Sequence, residues 1–100
     1  MQSMMNILNK ECWLPHVGST FDVKVKGVDN LALDLIDVSA FERHPGDFRE
    51  GYSLVFAGPK EPFFQQSLFR IEHPDLGELE VFLVPIGPEA GKMRYEAVFN

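Results

Sequence analysis

The chain has 100 residues, 45% of them hydrophobic, which describes a single domain able to bury a core without a metal or disulfide staple. Its formal net charge is -6, with 15 acidic residues against 9 thinly spread Lys and Arg. No basic stripe is available to displace phosphate counterions, which argues against nucleic acid and acidic membranes as partners. Cys12 is the single cysteine, so an intrachain disulfide is impossible and a reducing compartment fits. The opening residues, MQSMMNILNKECWLP, carry no basic leader before a long apolar stretch, and no run approaches the roughly 18 apolar residues of a membrane span. A cytoplasmic protein with no membrane contact is expected.

In chain order, Met4, Met5, Ile7, Leu8 and Trp13 are spaced to put one or two helical turns on a core face. Pro15 and Gly18 interrupt before residues 20–26, where Phe21, Val23 and Val25 alternate with Asp22, Lys24 and Lys26 as in a half-buried strand. Turn residues at 27–30 lead into Leu31, Leu33 and Leu35, again at period two. Ile36 and Val38 then shift the apolar phase, which predicts a bulge near Asp37. Residues 39–50 are irregular and predict a long surface loop, with Ser39 placed to cap a short turn and Pro45-Gly46 to end it.

Residues 52–57 predict a third strand, and Gly58-Pro59 a turn. Pro62 cannot donate a ladder hydrogen bond, so the next strand is expected from about Phe64 to Glu72. His73-Pro74-Asp75-Leu76-Gly77 then closes a hairpin, Pro74 presetting φ and Gly77 free to take a positive φ. A symmetrical loop sets Glu72 opposite Glu78, Ile71 opposite Leu79, Arg70 opposite Glu80, Phe69 opposite Val81 and Leu68 opposite Phe82. One face of this hairpin then carries Phe69, Ile71, Leu79, Val81 and Leu83; the other carries Arg70, Glu72, Glu78 and Glu80. Residues 85–92 read as a loop, and residues 93–99 as a last strand adding Tyr95, Ala97 and Phe99 to the apolar face.

About six short antiparallel strands without a helical period predict an all-β meander, closed or nearly closed into a small barrel that hides its edges. The N-terminal segment, residues 1–16, would pack on that barrel. A two-layer sandwich is the alternative.

Chemistry is sparse. Glu72 and Glu78 are the best carboxylate pair, yet a hairpin end on a solvated face ordinarily carries such charge, and Arg70 across from Glu80 reads as an exposed ion pair. His16, His44 and His73 fall in three separate loops. Cys12 and His16 are one helical turn apart, but Pro15 breaks the helix that would present both and zinc ordinarily takes four donors. Ser19, Ser39, Ser53 and Ser67 lack a nucleophile elbow, and neither GxGxxG nor GxxxxGK[ST] occurs. No catalytic residue, metal ligand or cofactor is therefore assigned.

Leu68, Phe82, Val84 and Val98 are the exception on the outer face, where an antiparallel sheet ordinarily presents polar residues to water. Either the N-terminal segment, with Met5, Leu8 and Trp13, covers them, or another protein or an identical subunit does. Phe41 and Phe48, amid charged residues of the 39–50 loop, are further candidate contacts.

LVFAGP (54–59), EHPDLGELEVFLVPIGP (72–88) and YEAVFN (95–100), with VGSTF (17–21), resemble a small bacterial family of uncharacterised domains. Its signature runs FxGP, then EHPxLGxxxxFLVPxGP, then YEAVFN. The resemblance implies a shared fold across most of the chain and an accessory or assembly role beside phage-tail-collar or tail-fibre-like proteins. It carries over no site residue, because the matching positions are turn and core residues. The expected function is non-enzymatic protein contact by a monomer or weak homo-oligomer; a small ligand-binding barrel or enzyme with a site in the barrel mouth is the alternative.

Overall fold

The computed structural model describes residues 10–24, 31–40, 51–61 and 64–99. A helical turn, α1 (Lys10–Trp13), and a 3-10 turn over Leu14–His16 precede six strands: β1 (Thr20–Lys24), β2 (Leu31–Ala40), β3 (Tyr52–Pro59), β4 (Ser67–His73), β5 (Gly77–Glu89) and β6 (Lys92–Phe99). All pairings are antiparallel, and the sheet closes on itself in the order β1-β2-β3-β6-β5-β4. The expected all-β barrel is thus realised as two three-stranded meanders joined by one crossing. After β3 the sequence skips two places in the sheet, β6 and β5, and β4 lies beside β1, a Greek-key order. Closure leaves no free sheet edge at the β1–β4 seam, which pairs Asp22 with Glu72 and Val23 with Ile71.

Period-two alternation decides which side chains enter the barrel. Phe21, Val23, Leu33, Leu35, Leu54, Phe56, Ile71, Leu79, Val81, Leu83, Tyr95 and Ala97 are buried, and Phe69 and Phe99 pack against them half-buried. Phe21 meets Phe56 edge-on, with ring centroids 5.5 Å apart. Gly58 also faces inward: a Cβ there would overlap Leu33 Cδ2, so any larger residue requires the buried Leu33 side chain to shift.

The β4–β5 register matches the sequence-based pairing at every position from Leu68–Phe82 to Glu72–Glu78, and Gly77 takes φ +80. The bulge near Asp37 is also present: the β2–β3 register shifts between Leu35 and Asp37, leaving Ile36 exposed and returning Val38 toward the core. Three expectations need correction. Ser39 does not open the loop; it lies in β2 opposite Ser53, its hydroxyl donating to Asp37 Oδ2 at 2.6 Å, and the turn it would cap falls on residues 41–50, outside the described ones. Gly58 and Pro59 continue β3 opposite Met93 and Lys92 rather than starting a turn. Residues 85–92 are no loop either, since β5 runs on to Glu89 through a bulge between Pro85 and Gly87.

The last correction has a physical reason. β4 pairs with β5 only as far as Leu83, so Pro85 and Pro88 lie where β5 has β6 alone for a neighbour and a missing donor costs no ladder bond on the open side. The reversal uses only Ala90 and Gly91, with φ of 56 and 81, the pair of positive values that a type I′ turn requires.

Each barrel end is sealed differently. At the end where β1, β3 and β5 begin, Trp13 is fully buried against Phe21 and Phe99, with ring centroids 5.9 and 6.0 Å away. Its indole N–H donates to Tyr52 Oη at 3.0 Å. At the opposite end the β3–β4 crossing lays Phe64 on the mouth: its backbone N–H donates to Tyr95 Oη at 3.1 Å, and its ring meets Phe69 at 6.4 Å.

Candidate functional site

The outer face of β4, β5 and β6 keeps the apolar strip that the alternation singles out. Leu68 and Phe82 are paired across the strands and 58% and 50% exposed, and Val98 is 52% exposed. Val84 sits at the strip's margin, partly covered and opposite Glu96. Trp13 does not cover this strip, because it is spent on sealing the barrel end. Met5, Leu8, Phe41 and Phe48, as well as His44, lie outside the described residues.

A second feature sits at the rim on the Trp13 side. The β1–β4 and β4–β5 registers align Asp22, Glu72 and Glu78 in one outward row of three carboxylates, with Lys24, Arg70 and Glu80 in the next. Diagonal pairing relieves the crowding: Lys24 Nζ lies 3.2 Å from Glu72 Oε1, and Arg70 Nε lies 3.8 Å from Glu78 Oε2. Arg70 therefore pairs with Glu78 and not with Glu80, its register partner. Both pairs are solvent-screened and worth under about 1 kcal/mol. A cation thus stands beside each of Glu72 and Glu78. Asp22, Glu72 and Glu78, together with His73, Pro74 and Gly77, line an open groove of about 340 Å³.

His73 ends β4 and is 8% exposed, its ring 4.5 Å from that of Phe21. The backbone N–H of Asp75 donates to its Nδ1 at 3.0 Å, fixing the imidazole from the turn side. His16 ends the 3-10 turn, and the segment after it is tied to β2: Gly18 N–H donates to Leu35 O at 2.7 Å, and Leu35 N–H to Ser19 O at 3.0 Å. That anchoring brings the His16 ring edge-on to His73, with centroids 4.5 Å apart, and its Nδ1 to 4.0 Å from Asp75 Oδ2. One donor atom each from His16, His73 and Asp75 lies within 4.8 Å of the others. His16 and His73 thus do not belong to separate loops. They are joined by the β1–β4 seam, and no local spacing in the sequence announces it.

Cys12, the single thiol, is not among these donors and lies close enough to Tyr52 to act on its phenol. Burial pushes the Tyr52 phenol above its ordinary pKa, outweighing the Trp13 N–H that favours the phenolate, and the nearby thiol adds to the rise. Among the described residues no helix is long and apolar enough to cross a membrane.

No curated protein and no solved structure matches this chain. Residues 8–99, however, match a family of domains of unknown function over nearly the whole barrel, from before α1 to the end of β6. The chain belongs to that family, DUF6916.

Proposed function

We propose that this domain is a non-enzymatic accessory module that binds another protein through the outer strip of Leu68, Phe82 and Val98, with Val84 at its edge. The supporting observation is that these three large apolar side chains are each at least half exposed on one face of a barrel whose interior is otherwise well filled. Water contact on such a strip costs free energy that a partner's apolar surface recovers. The acidic balance of the chain directs the reading to a protein rather than nucleic acid or a membrane, and the single cysteine suits a cytoplasmic setting. A tail-fibre-like protein as partner rests on the resemblance of residues 54–59, 72–88 and 95–100, and weak self-association through the same strip is the simplest further use of it.

Phe82→Asp, with circular dichroism to verify the fold, tests this reading. A species recovered by the native chain from its own host and by chemical cross-linking, and lost with the variant, is the expected outcome. Identical recovery by the two proteins removes the strip from the account. A second reading, a ligand-binding barrel or enzyme working at the barrel mouth, draws on the carboxylate-lined groove beside His73.

A further inference from the structure

The rim cluster is separate from the apolar strip and makes a different demand. Two imidazoles and one carboxylate are the donor set that divalent metals of borderline softness take, whereas calcium and magnesium prefer oxygen alone. The geometry points to His16, His73 and Asp75 as the ligands of a zinc-class divalent metal ion, held at the rim of the barrel with its remaining coordination positions toward solvent.

Placement supports this in three ways. The donor atoms lie within 4.8 Å of one another, and a tetrahedral ion with bonds near 2.1 Å needs them about 3.4 Å apart. Asp75, whose side chain is 72% exposed on the turn after β4, is free to swing inward and close part of that difference. His73 is the opposite: buried and fixed against Phe21, it gives the site one rigid arm. The surrounding charge favours a cation, because Asp22, Glu72 and Glu78 stand in the adjoining row, and among the described residues Lys24 and Arg70 are the cations paired with it.

Ligation also has a defined structural consequence. A neutral imidazole that binds metal through Nε2 carries its proton on Nδ1, and one that binds through Nδ1 spends that lone pair. In either case the Asp75 N–H to His73 Nδ1 hydrogen bond must open, so the turn at residues 74–76 shifts as the metal enters.

Calorimetric titration of the intact chain with zinc alone, paired with cobalt absorption, tests the assignment. One saturable equivalent is expected, with a cobalt spectrum of nitrogen and oxygen donors and no thiolate charge-transfer band. Asp75→Asn, which alters an exposed side chain and leaves the core intact, and His16→Ala, with its fold verified by circular dichroism, should each weaken binding at least about tenfold. Cys12→Ser and His44→Ala should leave it unchanged. Absence of a saturable equivalent, a thiolate band, or affinity indifferent to both Asp75→Asn and His16→Ala overturns the site.

Discussion

The two ends of the barrel solve the same problem with different parts. At one, a side chain from outside the sheet, Trp13, enters the mouth and fastens its only polar atom to Tyr52, which in turn stacks on Phe99 at 4.8 Å. At the other, the chain itself crosses the opening, and a backbone N–H of Phe64 takes the phenol of Tyr95. The first seal is a fully buried aromatic and the second only half-buried. A seal made by an added segment can also carry something with it: the same turn that delivers Trp13 delivers His16 to His73. The crossing at the far end brings no comparable group of titratable side chains together among the described residues.

The contrast breaks most sharply at Trp13. Trp13→Ala removes the largest fully buried side chain and leaves the Tyr52 hydroxyl without its donor, so a loss of about 3–5 kcal/mol is expected. Against a typical total of about 5–15 kcal/mol this places the variant near unfolding, which chemical denaturation will read directly. Phe64→Ala at the other end should cost clearly less, on the order of 1–2 kcal/mol, because the ring is only half-buried and the backbone hydrogen bond to Tyr95 survives. Equal losses at Trp13 and Phe64 would erase the distinction between the two seals.

A finer probe is Tyr52→Phe, which keeps the ring stack and leaves the indole N–H buried without an acceptor, for a cost of about 1–3 kcal/mol. It also changes pH dependence. The folded-state pKa of Tyr52 is raised above its ordinary value of 10.0, so the native state holds its proton more tightly than the unfolded chain. The associated stability is fully present below pH 10.0 and is lost as pH rises from there through the folded pKa. Denaturation midpoints of the native protein should therefore fall in that window, and part of the fall should vanish in Tyr52→Phe.

How far the sequence announces this molecule differs between its hairpins. Residues 73–77 have a proline and a glycine at the turn and strict alternation on both sides, so the whole β4–β5 register is legible, as is the bulge where Ile36 and Val38 change phase. The β5–β6 hairpin is hidden because Pro85, Gly87 and Pro88 are ordinarily evidence against a strand, and they are tolerated here only where β5 has outrun β4. Ala90-Gly91 between Glu89 and Lys92 was the available signal for a two-residue turn. Strand order is a further step removed: alternation says which residues point inward, but nothing local says that β4 returns to β1. The apolar strip was legible because it depends on alternation alone. The rim cluster was not, since His16 and His73 meet only through that return.

Everything at the rim thus depends on the β1–β4 seam, and nuclear Overhauser contacts in the isotope-labelled protein measure it most directly. Cross-strand contacts between Val23 and Ile71 and between Asp22 and Glu72, together with ring contacts between His16 and His73, are the expected result. A β1 that shows contacts to β2 but none to β4 would mean an open sheet, with no seam to bring the two histidines together.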